Sequence, residues 1–107
     1  MLELGSKNFA VTLLKSLQVK NEHGQEALLS TISLLENTSD QEKLRRLLEL
    51  LIASTTLLGG NLNKAVIWLN SPAPFISDSL PIEMIGSDRQ VLMVLEAISK
   101  LEHGTPL

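Results

Sequence analysis

The stretch AVIWLNSPAPFISDSLPIEMIG, which runs from Ala65 to Gly86, decides the fold because it interrupts a helical sequence with a proline-fixed loop. It holds two of the three aromatic residues of the chain and three of its four prolines. Pro72 and Pro74 end the helix before the loop, since proline cannot donate the helical backbone hydrogen bond. With Trp68 beside it, the loop predicts one specific surface shape between two helices, and shape is what a partner recognises.

Helix signals stand on both sides of this stretch. Before it, Asn61 predicts an N-cap for a helix over Leu62–Leu69. After it, Ser87 and Gln90 form a capping box that opens the last helix at Asp88. Apolar residues at helical spacing predict the buried stripe of that last helix: Val91, Val94, Leu95, Ile98 and Leu101.

Three further helices are predicted upstream, over about 8–19, 25–36 and 40–58, from apolar residues at helical spacing. A capping box of Ser39 and Glu42 opens the third of these helices, and Gly59-Gly60 ends it. The prediction is therefore an all-α protein, a compact bundle of about five helices. We expect an N-terminal helical region over 1–60 and, over 61–107, a C-terminal unit made of helix, proline loop and helix.

Length and composition limit the class of protein. At 107 residues the chain forms one domain, or one domain with a loose arm over 1–7. It has no cysteine, which excludes disulfides and thiolate chemistry. It has no apolar run of about 18 residues that would span a membrane, and its start does not read as a signal peptide. We therefore expect a cytoplasmic protein.

The charge pattern argues against nucleic-acid binding, which depends largely on lysine and arginine at phosphates. The net charge is −3. Neither 1–60, with 6 basic and 7 acidic residues, nor 61–107, with 3 and 5, is basic. The one basic cluster lies on the third helix and reads as a solvated face with local ion pairs. It comprises Lys43, Arg45 and Arg46, flanked by Glu42 and Glu49.

The sequence carries no recognisable catalytic or cofactor signature. The two histidines, His23 and His103, are about 80 residues apart, and neither has metal-ligand spacing to a second ligand. The serines of Ser77-Asp78-Ser79 have no nearby base that would make them nucleophilic. We therefore predict no enzymatic activity, no metal and no cofactor.

The third predicted helix changes character along its length. From Leu50 to Leu58 it is apolar on nearly all sides, and such a helix is either buried or packed against a partner. Two interpretations stay open. The segment is buried inside the monomer, or it forms a homo-oligomer through Leu50–Leu58.

A longer motif runs through the C-terminal unit. Ala65, Trp68 and Leu69 match an opening Ala-x-x-Trp-Leu, and a short turn then ends at Pro72. Looser matches follow at Pro81, Ile82 and Ile85, and at Leu95, Ile98, Leu101, His103 and Gly104. In this order and spacing the motif resembles the toxin-binding domain of Xre/MbcA/ParS-type antitoxins. The family usually has glycines where this chain has Ser77-Asp78-Ser79, and this departure concerns the backbone of the loop.

The resemblance implies a function. It implies an antitoxin of a bacterial type II toxin–antitoxin system that binds a RES-domain, NAD-degrading toxin and obstructs the cleft where NAD enters. Many relatives carry a helix-turn-helix domain upstream, so a DNA-binding autorepressor of its operon is one alternative. Because no helix in residues 1–60 presents several Arg, Lys, Gln or Asn residues on one polar face, we interpret this region as a degenerate or repurposed helix-turn-helix. A structural, oligomerising helical domain is the other alternative.

The residues predicted to contact the partner lie on the loop, the last helix and the tail. They are Phe75, Asp78, Pro81, Glu83, Arg89, Met93, Glu102, His103, Gly104 and Leu107. Asp78, Glu83 and Glu102 are expected to pair with cations with which the toxin holds NAD phosphates. Met93 is either a gap filler or an interface residue, and His103 is either a helix-end residue or a contact.

Three of these predictions keep open alternatives. Trp68 is either the core anchor of the C-terminal unit or part of the partner surface, where tryptophan is enriched among energetic hot spots. Phe75, between prolines and a polar loop, is expected to be half-exposed and is either a core contact or part of the partner surface. Arg89 lies in the first helical turn, where its charge opposes the helix dipole. It therefore needs a carboxylate from Asp78, from Glu83 or from a partner.

Overall fold

The computed structural model describes residues 7–104, and within that range it forms five α-helices and no strand. The helices are α1 (Lys7–Lys15), α2 (Glu22–Asn37), α3 (Gln41–Leu57), α4 (Leu62–Leu69) and α5 (Asp88–Glu102). Two short 3₁₀ turns, Pro74–Ile76 and Pro81–Glu83, lie between α4 and α5. The prediction of an all-α bundle of about five helices is confirmed. The predicted arm over 1–7 lies, apart from Lys7, outside the described residues.

Side-chain caps define the helix starts. The predicted caps are confirmed, since the side chain of Asn61 accepts the amide of Lys64 and that of Ser87 accepts the amide of Gln90. The predicted cap of the third helix is wrong by one residue. Asp40, rather than Ser39, accepts the amides that open α3, because its carboxylate reaches two of them.

The first two helices differ from prediction at their shared loop. α1 ends at Lys15 rather than near Val19. Two tighter i to i−3 backbone hydrogen bonds, from the amides of Ser16 and Leu17, close its last turn. α2 begins before the predicted start, because Asn21 caps it by accepting the amide of Gly24 at 2.6 Å. Val19 packs so closely there that a Cβ on Gly24 would stand 2.3 Å from its side chain.

One hydrophobic core joins the helices. α3 is central, packing against α1, α4 and α5, while α2 packs against α1 and α4. The large apolar side chains with almost no exposure come from every helix: Leu14, Leu35, Leu47, Leu50, Leu51, Val66, Leu69 and Val94. Residues on both sides of the predicted boundary at residue 60 therefore share this core. The division into two domains stays a prediction.

The apolar end of α3 is largely used inside the chain. Leu50, Leu51 and Ser54 are buried, and the Ser54 hydroxyl donates to the carbonyl of Leu50 at 2.6 Å. Ile52 and Thr56 are exposed on the opposite side. Burial within the monomer therefore accounts for most of this segment, and the surface left for self-association is narrow.

Candidate functional site

The segment between α4 and α5, residues 70–87, forms a corner of the fold, and its start is held onto α2 by a set of polar contacts that we call the clamp. The side-chain amide of Asn70 donates to the hydroxyl of Thr31 and to the carbonyl of Val66, both at 2.9 Å. Thr31 is fully buried, and its own hydroxyl donates to the carbonyl of Ala27 at 2.8 Å. Because a buried polar group is costly without a partner, this clamp fixes where the proline loop leaves the bundle.

An aromatic pair forms the first part of the corner surface. The rings of Trp68 and Phe75 are stacked, with centroids 6.3 Å apart and planes 21° from parallel. Both side chains are half-buried and pack against the hydrophobic core. Each ring is therefore both a core contact and a surface group, which combines the two alternatives set out for Trp68 and Phe75. Such a stack contributes about 0.5–1.5 kcal/mol beyond the area it buries.

The loop after Phe75 closes on itself in a strained conformation. The amide of Ala73 donates to the carbonyl of Ser79 at 3.0 Å, and the amide of Asp78 donates to the carbonyl of Ala73 at 2.9 Å. Between them Ser77 and Asp78 take φ angles of 56° and 64°. The left-handed region costs a non-glycine residue about 1–2 kcal/mol. The loop therefore adopts a backbone suited to glycine without having glycine there.

The corner is partly open to solvent. Pro72, Pro74 and the tip over 77–79 are exposed. Pro81, by contrast, is fully buried, so this predicted contact residue supports the second 3₁₀ turn from beneath and offers little surface to a partner. Glu83 is exposed beside a hollow of about 400 Å³ that it shares with the end of α2.

A cluster of ion pairs fixes the start of α5 on α3. One carboxylate oxygen of Asp88 lies 2.9 Å from Nε of Arg46 and 2.8 Å from Nη2 of Arg45. Arg46 also donates to the carbonyl of Ile85 at 3.4 Å. Hydrogen bonds from Arg46, the larger cause, and from Arg45 lower the pKa of Asp88. Hydrogen bonds to Glu42, the larger cause, and to Asp88 raise the pKa of Arg45.

These pairs also bear on nucleic-acid binding. Arg45 is shared by Glu42, Glu49 and Asp88, and Arg46 is held by Asp88. The two arginines of the basic cluster are therefore neutralised within the chain. A phosphate backbone would have to compete with these carboxylates for them.

The outer face of α5 is different. Leu92 is 53% exposed and Met93 is 44% exposed, and the charged side chains of Arg89, Glu96 and Lys100 stand around them. Within residues 7–104, Arg89 forms no ion pair. Neither intramolecular carboxylate suggested for it, Asp78 or Glu83, is thus its partner here. The remaining alternative, a carboxylate on another molecule, stays a prediction.

The loop and α5 meet in a small surface pocket, which we call the Phe75 notch. It has a volume of about 190 Å³ and is lined by Phe75, Met93, Glu96, Ala97 and Lys100. Two of the predicted contact residues, Phe75 and Met93, are brought together here. The sequence places the other lining residues, Glu96, Ala97 and Lys100, near Met93 on the helix, but they were not among the predicted contacts. Their signal was the i, i+4 spacing of Glu96 and Lys100 on the helix face that carries Met93.

The remaining predicted contacts lie at the end of α5. Glu102, His103 and Gly104 are exposed, and Gly104 takes a φ of 74° that suits a helix end. Their backbone hydrogen bonds are those of a helix terminus. Leu107 lies outside the described residues. The roles assigned to these four residues stay predictions.

The described part of the chain has neither a metal site nor a membrane-spanning helix. Across residues 7–104, no three or more histidine, cysteine or acidic side chains gather where they could hold a metal ion. In the same range, no helix is both long enough and apolar enough to cross a bilayer. We take the surface around the Phe75 notch as the candidate site, because it brings together two predicted contact residues and combines exposed apolar side chains with charged ones, as protein-binding surfaces do.

The chain is similar to a curated antitoxin. The chain is 28% identical over 65 residues to a protein from Yersinia enterocolitica named antitoxin Xre. The match covers 61% of this chain but 44% of the relative, so the chain spans less than half the length of the curated protein it matches. No family model matches the sequence. No solved structure matches it either. The similarity supports a relationship to Xre-type antitoxins and goes no further.

Proposed function

We propose that this chain is the antitoxin of a bacterial type II toxin–antitoxin system and neutralises a RES-domain, NAD-degrading toxin. The observation that carries the proposal is the exposed surface of the loop and α5, where apolar side chains and unpaired charges surround the Phe75 notch. The similarity to antitoxin Xre suggests the class of partner. The resemblance of the C-terminal motif to domains that bind RES toxins suggests its identity.

Neutralisation of this kind needs binding and no catalysis. A rigid corner loses little conformational entropy on association, because its loop and aromatic stack are already ordered. Aromatic groups and unpaired charges then supply affinity and orientation. In the proposed complex the loop and the end of α5 cover the toxin cleft. Asp78, Glu83 and Glu102 pair with cations that hold the NAD phosphates.

A homo-oligomer through Leu50–Leu58 remains part of the proposal in a narrower form. Leu50 and Leu51 are buried inside the chain, so Ile52 and Thr56 are the exposed positions at which a second copy would pack. Light scattering of the isolated protein tests this. A monomer mass at micromolar concentration would remove self-association from the proposal.

DNA binding is the second candidate function. One observation favours it, because α2 and α3 are joined by only the three residues 38–40, as in a helix-turn-helix. Against it, the arginines of α3 are engaged by carboxylates. A gel shift with the protein's own promoter, measured at several salt concentrations, decides whether the chain binds DNA. Specific, salt-sensitive binding would restore the repressor alternative.

The main experiment is co-expression with a RES-domain toxin. We expect the full chain to restore growth and cellular NAD, and to co-elute with the toxin in size-exclusion chromatography. Phe75→Asp, Arg89→Glu and deletion of 102–107 are each expected to weaken rescue. If the wild type neither rescues nor binds, the proposed function is wrong. If it does both and all three variants equal it, only the residue assignment is wrong.

A further inference from the structure

The Phe75 notch has the size of one side chain. Its volume is about 190 Å³. For comparison, an apolar cavity of about 150 Å³ in a protein holds a benzene-sized molecule. The floor and walls are apolar, formed by Phe75, Met93 and the buried Ala97. One leucine, methionine or phenylalanine side chain of a partner therefore fits the space.

The notch is fixed before any partner arrives. Phe75 is stacked on Trp68 and is followed by the closed turn between Ala73 and Ser79. The opposite wall belongs to α5, whose buried side chains pack on the core. Because both walls are held by contacts within the chain, filling the notch requires little reordering of this protein.

Two opposite charges flank the notch without neutralising each other. Glu96 and Lys100 are at i and i+4 in the order that favours an ion pair on a helix. No ion pair includes either of them within residues 7–104, although pairs of the same kind form on α3. The Cα atoms of these two residues are about 6 Å apart along the axis, given the helical rise of about 1.5 Å per residue.

The spacing selects the secondary structure of the occupant. A strand presents residues i, i+2 and i+4 on one face, so a charged, apolar, charged set on a strand puts its two charged residues about 13 Å apart. A helix presents i, i+3 and i+4 on one face, with i and i+4 only about 6 Å apart along the axis, which matches the spacing of Glu96 and Lys100. A helical segment is therefore the better match to a charged, apolar, charged surface.

We propose that the Phe75 notch receives one large apolar side chain from a helix of the toxin. On that helix a basic residue pairs with Glu96 and an acidic residue pairs with Lys100. This inference rests on the proposed function and adds to it the chemistry of the segment that this antitoxin recognises. The apolar side chain supplies binding energy, and the two charge pairs fix the direction in which the toxin helix lies.

The test uses the full chain and the RES-domain toxin of the co-expression experiment. Calorimetry compares the wild type with Met93→Gln and with the double variant E96K/K100E, which keeps the net charge of −3. We expect each variant to raise Kd about tenfold or more, as for residues at the centre of an interface. The double variant should also lower the association rate and change its salt dependence.

Matched controls lie on α2 and the loop before it. Leu29→Gln changes an apolar side chain that is 67% exposed, and K20E/E26K exchanges two exposed charges, again at constant net charge. Both controls should bind the toxin as the wild type does. If Met93→Gln fails to fold, E96K/K100E decides the question, because both of its positions are exposed.

A second measurement reports from the notch itself. The chain has one tryptophan, so the ¹⁵N-labelled protein gives one indole N–H signal, and unlabelled toxin adds none. Toxin binding should shift this signal, since Trp68 stacks on the notch wall. If the wild type binds toxin but the signal stays and both notch variants bind normally, this inference is overturned while the proposed function stands. If the wild type does not bind toxin, both are overturned.

Discussion

The helices α3 and α5 use their charges in opposite ways. On α3, four of the five charged residues are in ion pairs, and the exception is Lys43. On α5, only Asp88 is paired within the described residues, and its partners belong to α3. The other charged residues of α5 form no ion pair within residues 7–104: Arg89, Glu96, Lys100 and Glu102.

Their apolar surfaces differ in the same sense. α3 leaves Ile52 exposed, at 36%, whereas α5 leaves Leu92 and Met93 exposed at 53% and 44%. α3 is surrounded by α1, α4 and α5, so packing and local pairs satisfy most of its side chains. The outer face of α5 has no such neighbours among residues 7–104. The difference fits the proposal that α3 serves the fold and that the outer face of α5 binds a partner.

The largest expected effect separates the two helices by stability. Leu50→Ala on α3 removes a fully buried side chain and should lower the free energy of unfolding by about 2–5 kcal/mol. Leu92→Ala, the control on α5, should change it by less than about 0.5 kcal/mol. Urea titration followed by circular dichroism and by Trp68 fluorescence measures both. Coincident transitions would indicate one cooperative unit, whereas separate transitions would favour a domain boundary at residue 60.

The next effect concerns the clamp that seats the corner. Asn70→Ala removes the donor to Thr31 and should destabilise the protein by about 1–3 kcal/mol, because the groups it contacts are buried. Asn37→Ala removes an exposed side-chain hydrogen bond to Ser33 and should have little effect. Chemical denaturation compares the two. Equal stabilities for the two variants would contradict the clamp.

A smaller change of opposite sign is expected at the strained turn. Ser77→Gly should stabilise the protein by up to about 1 kcal/mol, because glycine relieves the left-handed strain but has more entropy to lose on folding. Ser79→Gly, where no positive φ occurs, should be neutral or destabilising. Thermal melts distinguish these outcomes. Loss of stability in Ser77→Gly would show that the turn is not strained as described.

The smallest effect is at the one ion-paired charge of α5. Arg46 and Arg45 lower the pKa of Asp88 in the folded chain, so its stabilising contribution is present above the ordinary aspartate range. It is lost as the pH falls through the lowered value. Asp88→Asn should therefore have a lower Tm than wild type at pH 7, and the difference should vanish in strong acid. Asp78→Asn, which removes one carboxylate that has no ion pair among residues 7–104, is the matched control for the change of net charge.

Local signals explain what the sequence predicted well. Asn61, Ser87 and the prolines act on backbone groups within a few residues, so the bounds of α4 and the start of α5 were found correctly. Gly59 and Gly60 take positive φ angles at the end of α3, as expected. The early start of α2 was missed although its signal is local, because Asn21, in an apparent turn, caps the helix by accepting the amide of Gly24.

Contacts between distant parts of the chain explain what was missed. Arg46 meets Asp88 across 42 residues and Asn70 meets Thr31 across 39, and no local pattern announces either pair. Phe75 and Met93 were each predicted as contacts, yet only the placement of the loop against α5 makes them walls of one notch. The same placement adds Glu96 and Lys100, whose spacing alone predicts an ordinary ion pair.

Hydrogen–deuterium exchange on the full chain, alone and bound to the RES-domain toxin, tests directly whether the loop and α5 form the toxin-binding surface. We expect slower exchange in the complex over 73–104, which covers the loop and α5, with α1 and α2 unchanged. Protection confined to α1–α3, with 73–104 exchanging as in the free chain, would contradict it.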